Sequence, residues 1–248
     1  MRSLLRGAIV PALFLGMWEG TSRAGLLLDT LSRPSDILSA LLASLGDGSL
    51  LLATVETFET ALLGLAVAAV IGILVGAILG LSSTLEYITG PTIEALRPIP
   101  AVAFMPLALM MFGFGIGLEA SIVVYACVWP ILIVTTMAVR EIEPRLLDVA
   151  NAMEMPFAQK LRKIIVPAAL VRINVGVRVA AGIALVVAVT TEVVLNPRGL
   201  GYSLVLAQQS LNAALMYAHL VWLCVVGALL NAALRAFGGG PAPAWRPA

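Results

Sequence analysis

The chain has 248 residues, of which 60% are apolar and 12% charged. That is too little polar surface to coat a soluble globule, so much of the outside must face lipid. A net charge of +1 and a pI of about 7.8 exclude the basic field with which nucleic-acid binders neutralise phosphates.

In chain order, the first apolar run, Gly7 to Trp18, is short and follows Arg2 and Arg6, like the basic start of a signal peptide. Trp18, Glu19 and Arg23 suit a span that ends at an interface, and a first span is predicted over 7–28. A second is predicted over 60–81, uncharged from Ala61 to Leu81, which covers the roughly 30 Å hydrocarbon layer. It carries Gly64, Ala68, Gly72, Gly76 and Gly80, a small residue every fourth position on one face. Such a stripe admits another backbone at close range, within or between subunits.

The third span, 97–117, is uncharged from Ile99 to Gly117, but Pro98, Pro100 and Pro106 must bend or break it. Its Met105, Met110, Met111 and Phe112 fit either an adaptable apolar passage or plain packing in the membrane core. A fourth span is predicted over 119–139 and a fifth over 173–194, with Arg178 near one end and Glu192 near the other. The sixth, over 213–235, holds His219, the only histidine, which points to helix packing rather than metal binding or a catalytic triad. Cys127 and Cys224 lie in apolar runs and read as small hydrophobes. The fold class is therefore all-α, a polytopic membrane protein of about six helices, in a domain over 1–237 with a flexible Gly, Pro and Ala-rich tail over 238–248.

The segment 140–172 holds Arg140, Arg145, Lys160, Arg162, Lys163 and Arg172, a large share of the 15 basic residues, and is predicted cytoplasmic. Six crossings then put both termini inside, with Asp29 to Glu59 and Asn196 to Asn212 outside. This loop is long for a connection and has internal order. After Pro144, Leu146, Leu147, Ala150 and Met153 recur at helical spacing; after Pro156, Phe157, Leu161, Ile164 and Ile165 form a second apolar stripe that runs to Pro167. Two short amphipathic helices make either a protein-docking knob or an interfacial segment lying on anionic lipid.

The run Asp148-Val149-Ala150-Asn151-Ala152-Met153-Glu154, followed by Ile165-Val166-Pro167-Ala168-Ala169-Leu170, resembles the EAA loop of permease subunits of ATP-binding cassette importers. Leu31-Ser32-Arg33-Pro34-Ser35-Asp36, Leu96-Arg97-Pro98-Ile99-Pro100 with Pro106, and Gly199-Leu200-Gly201-Tyr202 resemble the nitrate, sulfonate and taurine branch of that family. The resemblance implies a type I importer permease (MetI-like) fold in the cell membrane. It also implies partners: two cytoplasmic ATPases, a second permease copy or paralogue, and an extracytoplasmic solute-binding protein. Asp148, Ala150, Asn151, Ala152, Met153, Glu154 and Pro167 become the ATPase-coupling residues. The pattern departs at Asp148 for the usual Glu, Val149 for the first Ala, and Glu154 for a Gly. Since Glu resists left-handed backbone angles, the expectation is that Met155-Pro156 makes the bend or that the loop docks differently.

The two lysines, Lys160 and Lys163, follow Gln159 and Arg162, so no Walker-type phosphate loop is present. The chain is expected to be non-catalytic and to bind no cofactor, with ATP and Mg held by the partner ATPase. Thr190, Thr191 and Glu192 are candidates for the translocation pathway or its gate, because a carboxylate within the membrane usually faces a cavity or a partner. A structural role near the outer interface is the other reading of Glu192. A secondary transporter or an intramembrane enzyme are the competing classes, but neither paired broken helices nor converging catalytic groups are visible.

Overall fold

The computed structural model describes residues 2–24 and 31–237. The helices are α1 (Arg2–Arg23), α2 (Pro34–Gly46), α3 (Ser49–Leu81), α4 (Ser83–Leu96), α5 (Met105–Phe112), α6 (Ile116–Arg140), α7 (Pro144–Ala152), α8 (Phe157–Lys160), α9 (Val166–Val194), α10 (Gly199–Gln209) and α11 (Ala213–Phe237). The expected tail, 238–248, and the end of the expected first span lie outside the described residues.

The glycine stripe explains the centre of the fold. Gly64 faces Val123, Gly72 faces Ile131, Gly76 faces Thr135 and Gly80 faces Val139, a constant offset that sets α3 and α6 parallel and in contact along their length. A methyl group added at Gly64 would lie 2.6 Å from Val123 Cβ, and one at Gly76 would lie 2.6 Å from the Leu132 carbonyl oxygen. Only glycine fits at that separation, and the Thr136 hydroxyl uses the approach to donate to the Gly76 carbonyl at 3.1 Å. The stripe thus packs within the chain. On its other side α6 meets α9 running the opposite way, where Gly176, Ala180, Ala184 and Ala188 form a second small-residue face against Val134, Cys127 and Val123. Cys127 is buried, Cys224 is exposed, and both are free thiols.

Among the described residues, α3, α6, α11 and the run Phe157–Gln209 that contains α9 are long and apolar enough to cross a membrane. A fifth candidate is the pair Ser83–Leu96 and Ala101–Phe112, bent by 85°. The third predicted span, 97–117, is therefore not one helix. Its prolines leave Arg97 to Pro100 as a turn, a 3-10 segment covers Ala101–Phe104, and α5 ends at Gly113, whose φ is 68°. The other half of that bent pair is α4, which lies between the second and third predicted spans. The first predicted span corresponds to α1, which carries Glu19 and Arg23 in its last turns and is not apolar enough to qualify, so a count of six is not reached on length and composition. The fifth span begins earlier than 173, because α9 starts at Val166.

Pro167 does not end a helix. It sits in the first turn of α9, where a missing N–H costs nothing, and the preceding Leu161–Ile165 segment widens into a π-turn with Val166 N–H bonded to the Leu161 carbonyl. The extra residue in that turn lets the chain run from the loop into the membrane helix without a break.

Candidate functional site

The bundle has two distinct ends. At one, α6 passes through Glu141 to Glu143 into α7, which turns back through α8 into α9. Ion pairs Glu86–Arg140 and Glu141–Arg172 tie α4, α6 and α9 together there. Ile142, Ile165, Ala169 and Ile173 make a small core under the loop, with Leu147, Leu161 and Ile164 packed on it. Ala150 is buried at 1% exposure.

The remaining loop residues turn outward. Asp148, Asn151, Ala152, Glu154 and Pro167 are exposed, and so are Leu146, Val149, Met153 and Phe157. Leu146, Met153 and Phe157, all members of the apolar stripes read from periodicity, therefore face outward, and with Val149 they form an outward apolar row between charged neighbours. The bend is made by Glu154 itself, at φ 52°. The Met155 N–H bonds to the Ala150 carbonyl and the Glu154 N–H to the Asn151 carbonyl, both near 3.0 Å, closing a Schellman motif with glutamate in the position that favours glycine. Lys160 Nζ donates to Asn151 Oδ1 at 2.6 Å and braces α8 against α7. The expectation that Met155-Pro156 makes the turn is thus corrected: the short-range bonds impose the left-handed angle on Glu154.

At the opposite end, α10 lies across the tops of α3 and α9, and its first three N–H groups are capped by other helices. Gly199 N–H donates to Glu56 Oε2 at 3.0 Å, Leu200 N–H to Thr57 Oγ1 at 3.0 Å and Gly201 N–H to Glu192 Oε2 at 2.8 Å. These are the orphan donors of a helix start, and two carboxylates supply the charge that a positive helix end prefers. The Arg198 guanidinium closes the rim on Glu56 at 3.2 Å. The Gly199-Leu200-Gly201 motif now has a physical reason. Gly199 takes φ 85°, and a side chain there would collide with the Glu192 carboxyl, while one at Gly201 would strike the Val189 carbonyl oxygen.

Beneath this cap lies Glu119, buried at 1%, whose carboxyl receives the Thr60 hydroxyl and, at 2.7 Å, Asn196 Nδ2. Glu192 and Asn196 are each 2% exposed. Thr190 and Thr191 do not join the network through their hydroxyls, which donate to the carbonyls of Val186 at 2.7 Å and Val187 at 2.9 Å. His219 is also buried and meets the Leu215 carbonyl at 2.8 Å through Nδ1. Of the third-span candidates, Met105 belongs to the core, while Met110, Met111 and Phe112 face outward.

Sequence reasoning missed Glu119, Asn196, Thr57 and Thr60. Glu119 stands at the edge of an apolar run and reads as an interfacial charge. Its signal was available, since α6 and α9 are antiparallel and each carries one carboxylate at the same end, but pairing them needs the register of the two helices.

A bundle of membrane-crossing helices with an ordered helix-turn-helix loop at one end and a capped helix at the other is the architecture of an importer permease. The model of the family "Binding-protein-dependent transport system inner membrane component" matches residues 68–239, and the chain belongs to that family. It is 30% identical over 244 residues to the bicarbonate transport system permease protein CmpB of Synechococcus elongatus, covering 93% of this chain and 88% of that one. It is 28% identical over 231 residues to the taurine transport system permease protein TauC of Escherichia coli, covering 91% and 84%. Among solved structures, the inward-facing MetNI methionine ABC transporter matches with a TM-score of 0.66 at 20% identity, over 76% of this chain and 94% of that one, which bears on the fold alone. The chain is a multi-pass transport permease of the nitrate, sulfonate and taurine branch, as its motifs implied.

Proposed function

We propose that this permease conducts a small oxyanion-bearing solute, such as a sulfonate, nitrate or bicarbonate, received from an extracytoplasmic binding protein, and that two cytoplasmic ATPases drive it through the 140–172 loop. The observation that supports this reading is the outward row Leu146, Val149, Met153 and Phe157 on a braced knob. Exposed apolar side chains on a rigid helix are the form a groove-binding partner needs. Asp148, Asn151 and Glu154 alternate with the row and would set its register, Ala152 leaves room for close approach, buried Ala150 seats the knob, and exposed Pro167 in the first turn of α9 would stand at the edge of the docking face. ATP and Mg stay on the partner, whose dimerisation would move two permease copies, or this chain and a paralogue, between inward-facing and outward-facing states. Both termini then lie in the cytoplasm and the α10 cap faces the binding protein. In this scheme Glu192, with Thr190 and Thr191 behind it, serves the outer gate and not the solute path, because its buried carboxyl is tied through Oε2 to the α10 backbone.

The test is co-purification. Val149→Asp together with Met153→Asp is expected to leave the permease inserted and monodisperse and to abolish recovery of the ATPase encoded beside it. Full recovery of the ATPase with that double variant would remove the docking assignment.

A further inference from the structure

The motif Leu96-Arg97-Pro98-Ile99-Pro100 belongs to neither end of the bundle. It forms the bend between Ser83–Leu96 and Ala101–Phe112. The Tyr125 hydroxyl donates to the Leu96 carbonyl at 2.7 Å, and Tyr125 stands about 22 Å along α6 from Arg140, at the loop end of that helix. Near the start of α4, Glu86 pairs with Arg140. Held at these two points, α4 runs alongside α6 and carries Arg97 well inside the roughly 30 Å hydrocarbon layer. A guanidinium at that depth faces a cavity or a partner group rather than lipid.

Arg97 does face a cavity. Between α3, α4 and α6 there is room for water over about 220 Å³, and Glu86, Glu94 and Arg97 line this space from α4. The wall made by α3 and α6 is apolar apart from Thr136, whose hydroxyl is already bonded to the Gly76 carbonyl at 3.1 Å. Glu86 is engaged by Arg140. Glu94 and Arg97 are the two remaining charges on the cavity, both exposed, and among the described residues neither has an ion-pair partner. They stand on one face of α4 at a spacing where an acid and a base can meet, yet they do not pair with each other.

We propose that this cavity is a solute station on the translocation path and that its solute is a zwitterion, with the oxyanion group held by Arg97 and the ammonium group of the same molecule held by Glu94. The inference rests on the reading of this chain as a permease for an oxyanion-bearing solute, and narrows it. A guanidinium fork matches two oxygens of a sulfonate or a carboxylate. A solute with an anionic group alone would meet Glu94 as a like charge, whereas an aminoalkyl sulfonate or carboxylate offers each unpaired side chain an opposite charge. Pro98 and the Tyr125 bond fix the backbone that carries Arg97 before any solute arrives.

Direct binding to the full-length permease in lipid nanodiscs tests this without the ATPase. Labelled taurine and labelled β-alanine share the ammonium group and differ in the oxyanion; at least one is expected to bind at millimolar concentration, and the tighter of the two names the oxyanion. Ethanesulfonate, propionate and ethylammonium, each lacking one charge, should compete at least about tenfold more weakly. Arg97→Gln should abolish binding, Arg97→Lys should weaken it, and Glu94→Gln should bring the zwitterion and its matching anion to similar affinity. Arg235→Gln, at the end of α11, should leave binding unchanged. Absence of binding by both zwitterions overturns the proposal, as does binding that survives Arg97→Gln or a matching anion that competes equally in the wild type. If the glutamine variant at Arg97 fails to fold, undiminished binding by Arg97→Lys overturns the fork and a clear loss supports it. Uptake of nitrate by the assembled transporter, from a permease that binds neither zwitterion, would remove this site and leave the oxyanion permease reading intact.

Discussion

The two ends of the bundle spend their polar groups in opposite ways. Under the cap, Glu56, Thr57, Thr60, Glu119, Glu192, Asn196 and the first N–H groups of α10 bond to each other, and nearly all of that network is closed to solvent. At the loop, the internal bonds are few, Lys160–Asn151 and the Schellman pair, while Asp148, Glu154 and the apolar row face outward. A network whose groups bond mostly to one another holds helices in place and has little to offer a partner. A braced helix with an unsatisfied face does the reverse. The difference separates a region that sets the resting geometry of the bundle from one that leaves an apolar face exposed.

If that contrast is right, substitutions under the cap should cost stability and those on the loop should not. The largest effect is expected for Gly201→Ala, whose methyl would strike the Val189 carbonyl and lie 2.8 Å from Glu192 Cβ. Overpacking of that kind costs about 3 kcal/mol, read as a lowered melting temperature in detergent, and an unchanged melt would mean that α10 is not seated on α9. Asn196→Ala should cost about 2 kcal/mol, since it leaves Glu119 Oε2 buried without its donor. An effect as small as that of a surface substitution would break the claim that Asn196 is the donor that holds Glu119.

The two non-glycine residues with positive φ among the described residues sharpen the comparison further, because one stands at each end. Glu154 has φ 52° and Leu211, at the α10–α11 turn, has φ 54°. Leu211 closes the same motif, with its own N–H bonded to the Gln208 carbonyl and that of Asn212 to the Ala207 carbonyl. Glu154→Gly and Leu211→Gly should each stabilise the chain by about 1 kcal/mol, the relief of left-handed strain less the entropy that glycine adds to the unfolded chain. The melting temperature and slowed amide exchange at Met155 and Asn212 report it. The smallest effect on stability is expected for Leu146→Asp, within about 0.5 kcal/mol as for exposed positions generally, yet it should weaken ATPase recovery. A large drop in the melt would show that Leu146 packs inside the chain.

Much of this was legible from local pattern. The uncharged runs located α3, α6 and α11, the glycine stripe announced a close helix contact, and Pro144 and Pro156 bracketed α7. At two residues intrinsic preference yields to bonds that local sequence does not show: a π-turn absorbs Pro167 at the start of α9, and two backbone hydrogen bonds at the end of α7 impose the left-handed angle on Glu154. Leu146, Met153 and Phe157 face outward because an apolar residue at helical spacing is core-facing only when a core lies on that side.

From the sequence alone come the lipid-facing class, the apolar segments, the basic loop and the motifs that carry the family resemblance, since each depends on composition or on residues near in the chain. Tertiary structure alone decided that the glycine stripe meets α6 within the same chain, that α4 and the Ala101–Phe112 segment meet at an 85° bend, and that Glu119 and Glu192 line one crevice under α10. Those facts depend on the relative register of helices far apart in sequence, and register is set by which small residues meet which large ones across an interface. For the Arg140 to Arg172 loop the division is sharpest: the sequence marked it as a helical knob, and the packing of Ile142, Ala150 and Ile165 beneath it determined which of its faces was left for a partner.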